Sequence, residues 1–309
     1  MSAIDWNKLI KIEDKWIEKH LLSQTTSRDT KVVVRGYSIP FSGTKNSYKN
    51  FAVALSEIIG EFTHDKSQLS RLGILKANKN AQKIFGNIDP SKDGRYGELI
   101  LFAIVESILR CPMVSHKIPS SFHDQVKGGD GIFIGDYEYK KGEYNTAILI
   151  GESKIWQNYS AALDDSLASV DRFHDSTSGP RFNSQEFLVA KRGIALSDDF
   201  DPEVLYNYLS PETTEHRSCI MVHPTFIMYE TNTINTIERK ALTAIEAETL
   251  IKNYISSRHS DHINLINEKL ALFSNLNAVY LDFFILPVKS VDDFRKEVFY
   301  EIHGINYTK

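Results

Sequence analysis

Gly128-Gly129-Asp130-Gly131-Ile132-Phe133-Ile134 and, after a polar stretch, Thr146-Ala147-Ile148-Leu149-Ile150-Gly151-Glu152-Ser153-Lys154 decide the fold. Residues 132–134 and 147–150 are short apolar runs bounded by turn residues, which is how buried strands read. An antiparallel register that sets Asp130 opposite Glu152 centres the hairpin on residue 141, inside Lys140-Lys141-Gly142, where a turn is wanted. Side chains two apart on a strand share a face, so Glu152 and Lys154 point the same way. Two carboxylates and a lysine are thereby expected at one strand end.

Carboxylate oxygens are hard ligands suited to Mg²⁺. A metal held there can lower the pKa of a bound water and offset charge on a phosphodiester. The lysine can hold or deprotonate that water, or stabilise developing charge. A D–(about 20 residues)–E-x-K hairpin resembles the PD-(D/E)XK nuclease superfamily. The bare E-x-K pattern recurs, as at Glu13-Asp14-Lys15 and Glu238-Arg239-Lys240, both in charged segments without a preceding apolar strand. The bland alternative for Glu152 and Lys154 is a surface salt bridge.

The order of elements agrees with that resemblance. Residues 94–110 are apolar almost all round and read as a buried helix, with Glu98 in its first turn and Glu106 in its interior. A further acid from this helix is expected at the metal. Glu98 is preferred because Gly94 and Gly97 allow close approach, although a first-turn Glu often only complements the helix dipole. A first strand is expected at residues 113–118, a small-residue helix at 158–174, and strands at 218–229 (interrupted by Pro224) and 278–288. A closing helix is expected at 291–302. Upstream, a strand at residues 31–34 and helices at 48–62 and 67–85 form an N-terminal α/β region. A soft boundary at Gly86-Asn87-Ile88-Asp89-Pro90 gives segments 1–90 and 91–309, with a helical insertion about 237–276.

A chain of 309 residues with 42% hydrophobic and 25% charged residues belongs to the ordinary globular class. Residues 1–19 carry no signal-peptide core, and the apolar run at 99–105 is far too short for a bilayer, so a cytoplasmic protein with no membrane association is expected. Cys111 and Cys219 exclude a disulfide framework and suit buried thiols. A net charge of −4 is awkward for a DNA-binding protein, whose affinity comes mostly from Lys and Arg on phosphates. Lys76, Lys79 and Lys83 on one helix, and Lys117 and Lys127 beside the hairpin, are the local candidates; a partner is the other. His259 and His262 could pair on a metal, His116 and His123 could face substrate, and Tyr139, Tyr144, Trp156 and Tyr159 could stack on bases. A solvated face explains the helix lysines as simply, and solvated or core roles are preferred for the histidines and the aromatics.

Three stretches carry a closer likeness: Gly97-Glu98-Leu99-Ile100-Leu101, Lys127-Gly128-Gly129-Asp130-Gly131, and Leu149-Ile150-Gly151-Glu152-Ser153-Lys154. Across residues 94–175 the chain resembles the HamA family, nuclease subunits of the Hachiman anti-phage defence system. The resemblance implies an α/β fold with a PD-(D/E)XK, restriction-endonuclease-like core, a mixed sheet flanked by helices. It implies that Asp130, Glu152 and Lys154 form the catalytic core, with Glu98 beside them, and that Asp130, Glu152 and Glu98 hold Mg²⁺ or Mn²⁺. It further implies a DNA nuclease restrained by a helicase partner of the HamB kind, which would also deliver the DNA. A docking stripe for that partner is expected along Leu242, Ile245, Leu250, Ile251, Tyr254 and Ile255. Two alternatives stay open: a non-catalytic, DNA-sensing adaptor with the nuclease fold, and a restriction- or repair-type endonuclease.

Overall fold

The chain opens with the short helix α1 (Trp16–His20) and the antiparallel hairpin of β1 (Leu22–Asp29) and β2 (Val32–Ser38). A small ladder of β3 (Phe41–Ser42) and β4 (Lys45–Asn46) leads into α2 (Lys49–Glu57), α3 (Ile59–Thr63), α4 (Lys66–Leu72) and α5 (Ile74–Phe85). Then come α6 (Arg95–Ile104), β5 (Met113–Ser115), β6 (Ile132–Lys140), β7 (Glu143–Ile150), β8 (Glu152–Trp156) and α7 (Tyr159–His174). Two short helices, α8 (Pro202–Tyr208) and α9 (Thr214–Ser218), precede β9 (Ile220–Glu230). The chain continues through α10 (Asn232–Lys240), α11 (Ala244–Leu270), β10 (Tyr280–Val288) and α12 (Val291–His303). The computed structural model describes residues 4–115, 129–174 and 200–307; His116, Lys117, His123, Lys127 and Gly128 lie outside them.

The sheet runs β1-β2-β10-β9-β7-β6-β5, with β8 also on β9. Its centre is parallel (β2, β10, β9 and the β7–β8 line) and its two flanks are antiparallel, so the expected mixed α/β sheet is present. Parallel strands covered on both faces are apolar almost throughout, and β10 shows how the period of two divides them. Phe284 and Leu286 join α2, α6 and α12 in one core, while Phe283 and Ile285 join α7 and α11 in another. Among the described residues no helix is long and apolar enough to cross a membrane.

The first core crosses the expected boundary near residue 90 without a break. Phe51 packs on Phe294 and Phe62 on Phe102, and β2 hydrogen-bonds to β10 along five registered pairs. The Arg35 guanidinium on β2 meets the fully buried Asp282 carboxylate on β10 with two bonds of 2.8 and 3.0 Å, and Tyr137 on β6 donates to the same group at 3.3 Å. The long helical stretch is two helices, as α10 and α11 divide at residues 241–243. Its expected docking stripe is mostly internal. Ile251 and Ile255 are buried against Phe41, Ile234 and Ile237, and only Leu242 and Ile245 stand well exposed.

The hairpin register holds: Ile132 faces Ile150, Phe133 faces Leu149 and Asp136 faces Thr146. Lys141 and Gly142 make its turn, with Gly142 at φ +76°, a conformation that favours glycine. Pro224 does not interrupt β9, which runs through it. The reason lies in the neighbouring strand and creates the site.

Candidate active site at a strand fork

β7 and β8 keep one register on β9, Leu149 opposite Val222 and Glu152 opposite Thr225. They are a single strand with a gap, and that register sets Gly151 opposite Pro224. Proline has no N–H to give, so the ladder loses nothing where the gap falls. The Ile150 carbonyl in the gap takes a bond from His223 Nδ1 instead, at 3.1 Å. A carbonyl only accepts, so Nδ1 carries the proton. Burial holds His223 far below the usual histidine range, at about 3, so the ring is neutral. Its Nε2 then accepts from His174 Nε2 at 2.7 Å.

On the other side β6 accompanies the strand only to this point. Asp130 N donates to Gly151 O at 2.8 Å and Gly151 N to Gly131 O at 2.9 Å. Beyond these bonds β8 continues along β9, and Asp130 and Glu152 stand where the pairing with β6 ends. α6 seals one face. A Cβ on its Gly97 would come within 2.8 Å of Ser153 Oγ, so only glycine lets the helix lie this close to β8.

Asp130 Oδ2 accepts from Ser153 N at 2.7 Å and from Ser153 Oγ at 2.6 Å. Burial, helped by the charge of Glu98, pushes Asp130 up to about 7, against the Ser153 bonds and Lys154. Glu152, 8% exposed, is likewise pushed up to about 7 by burial and by Asp130, against Lys154 and Ser169. Lys154 Nζ lies 2.7 Å from Glu152 Oε1 and 2.7 Å from Asp165 Oδ2 on α7. Burial works against its charge, but these two carboxylates outweigh that and raise it.

A divalent cation suits this arrangement. The donors are hard oxygens, and the charge of Asp130 opposes ionisation of Glu152 as that of Glu98 opposes ionisation of Asp130, a conflict that a cation at the pair removes. Among the described residues no three His, Cys, Asp or Glu side chains form a ligand cluster, so Glu98 stands near Asp130 without completing one. Mg²⁺ commonly takes one or two carboxylates and fills the rest of its shell with water and phosphate oxygens.

Glu106 belongs elsewhere. It is fully buried in the π turn that ends α6 (residues 105–109) and accepts from Lys11 N at 2.7 Å, Ile12 N at 3.0 Å and Met113 N at 2.9 Å. The other E-x-K acids are also engaged: Glu13 with Lys19, and Glu238 with Lys45, Lys289 and Asn46 N. His259 meets Thr25 while His262 lies against Tyr159 and Tyr229, so the two have separate contacts. Burial pushes both cysteine thiols up, Cys219 to about 12. Sequence reasoning missed Ser153, Asp165, Ser169, His174 and His223. For Asp165 and Ser169 the i,i+4 spacing on the helix after the strand was a readable signal.

Fold and site define an α/β protein whose mixed sheet forks over a buried acidic pair with a lysine at its edge. The chain belongs to the HamA family, whose model, described as HamA, matches residues 10–302. That membership makes it a component of the Hachiman defence system. No curated protein matches the chain.

Proposed function

We propose that this chain is a Mg²⁺- or Mn²⁺-dependent deoxyribonuclease, the effector of a cytoplasmic anti-phage complex, with Asp130, Glu152 and Lys154 as its catalytic core and Glu98 as an accessory acid. The observation that carries this reading is the buried Asp130–Glu152 pair at the fork, with Lys154 Nζ 2.7 Å from Glu152. Burial and neighbouring negative charge raise both acids at a cost in stability, and such arrangements are characteristic of functional sites.

Asp130 and Glu152 would hold the cation, with Glu98 adding negative charge from α6. When bound, the metal supplies a water of lowered pKa and neutralises phosphate charge. Ser153 fixes Asp130 with two bonds, so the carboxylate needs no reorganisation on metal entry. Lys154 offers its ammonium to the charge that builds on the phosphate as the P–O bond breaks. The backbone bonds around Gly151 keep both arms of the fork at a fixed spacing.

Restraint by a larger helicase-type partner fits a chain of net charge −4, because the partner can supply the grip on DNA. The test is direct. Purified alone and with the helicase encoded beside it, the chain is incubated with plasmid and Mg²⁺, and with EDTA. Metal-dependent cleavage that Glu152→Ala abolishes is expected. DNA binding without cleavage under every condition would favour the adaptor alternative.

A further inference from the structure

β8 turns into α7 through Gln157 and Asn158, and Asn158 Oδ1 caps the helix by accepting from Ala161 N at 3.0 Å. The helix then runs back along the strand it has just left. Same-face residues recur on a strand every two positions, about 6.6 Å. On a helix they recur every four, about 6 Å. The repeats match well enough to pair successive side chains. Lys154 meets Asp165, Glu152 meets Ser169, and Ile150 shares a core with Phe173.

Two of these rungs act on the E-S-K residues. Lys154 has a flexible four-carbon stem, and its ammonium is held at 2.7 Å by Glu152 on one side and Asp165 on the other. Without Asp165 the stem loses the contact that draws it towards the helix. Ser169 Oγ, four residues on, accepts from Arg172 at 2.9 Å. The helix thus directs the lysine by charge. Asp165 keeps 42% of its side chain exposed, so it sits at the rim.

We infer that Asp165 is a positioning residue of the site, acting through Lys154; this rests on the nuclease reading. The experiment uses the full chain, with its partner where cleavage needs it, as wild type, Asp165→Asn, Asp165→Glu, and each change again in Lys154→Ala. Two readouts are taken: cleavage kcat and KM at saturating Mg²⁺, and the ¹H–¹⁵N signal of the Lys154 ammonium, assigned by its loss in Lys154→Ala. Asp165→Asn is expected to lower kcat roughly 10-fold or more with KM and thermal midpoint unchanged, and Asp165→Glu to recover part of it. In Lys154→Ala the Asp165 change should add nothing, because the residue through which it acts is gone. The Lys154 signal should broaden or shift in Asp165→Asn.

An Asp165→Asn protein with wild-type kcat and an unchanged Lys154 signal would overturn the inference. Equal losses with and without Lys154 would overturn it too, because Asp165 would then act on its own. Should wild type not cleave at all, the nuclease reading falls, while the ammonium signal still decides whether Asp165 holds the lysine. Loss of folding in Lys154→Ala would be met with Lys154→Met, which keeps the stem.

Discussion

Gly151 lies opposite Pro224, the one residue of β9 that has no N–H to share. The pairing turns a rule against proline in central strands into the means by which a strand opens without leaving a donor unpaired. It also lets β6 and β8 part where Asp130 and Glu152 stand.

Gly151→Ala tests how tightly the fork is packed. A Cβ there would come within 2.6 Å of Leu101 Cδ2 on α6. Overpacking of this kind costs about 1–3 kcal/mol, read as a lower urea midpoint with an unchanged slope. A midpoint equal to wild type would mean that α6 does not press on the fork.

Asp130→Asn relieves the repulsion between the paired acids. The metal-free protein at pH 8 is expected to gain about 1–3 kcal/mol, the scale of an unpaired buried charge or polar group. It should also lose the rise in thermal midpoint that Mn²⁺ gives wild type. A less stable variant that still responds to Mn²⁺ would show Asp130 to be a structural residue.

His223 provides a pH dependence of known sign. Its folded value of about 3 lies below the ordinary histidine value of 6.5, so its contribution is fully present above 6.5 and is lost as pH falls towards 3. At pH 4.5 the loss is about 2–3 kcal/mol. His223→Asn keeps a donor for Ile150 O without the titration, so its unfolding free energy should fall less between pH 7.5 and 4.5. Identical falls in both proteins would remove His223 from the acid response.

Glu98 and Glu106 separate function from structure on one helical run. Glu106→Gln replaces one of the oxygens that accept three backbone N–H groups, so about 1–3 kcal/mol of stability is expected to go with metal affinity kept. Glu98→Gln should do the reverse, weakening Mn²⁺ binding several-fold in calorimetry at unchanged stability. Swapped outcomes would exchange their roles.

The buried Arg35–Asp282 pair fastens the N-terminal hairpin to the central sheet. Arg35→Met leaves the buried carboxylate with Tyr137 but without its counter-charge and is expected to cost about 3–5 kcal/mol, measured by denaturant unfolding. A loss below about 1 kcal/mol would mean that Asp282 is protonated or hydrated in its place.

Much of the sheet was legible because the β6–β7 hairpin is a local object. Two apolar runs and a turn centred on residue 141 fixed its register, and with it the meeting of Asp130, Glu152 and Lys154. Pro224 was misread because its licence to occupy β9 depends on a gap in another strand, 73 residues away by the register Glu152–Thr225. Glu98 and Glu106 look alike in sequence; what separates them is a contact with residues 11 and 12, which periodicity does not carry. Asp165 and Ser169 needed the rotation of α7 about its axis, fixed by apolar packing of Ala162, Leu163 and Leu167 under the sheet. The N-terminal segment seemed separable because its link to the core runs through β10, near the far end of the chain.

The measurement that bears most directly on the central claim is anomalous diffraction from crystals soaked in Mn²⁺. The expected result is a peak between Asp130 and Glu152, with oxygens of both within about 2.0–2.6 Å, absent from Glu152→Gln crystals. Full occupancy of Mn²⁺ elsewhere with none at the fork, or a peak that survives Glu152→Gln unchanged, would contradict a metal-dependent nuclease built on this pair.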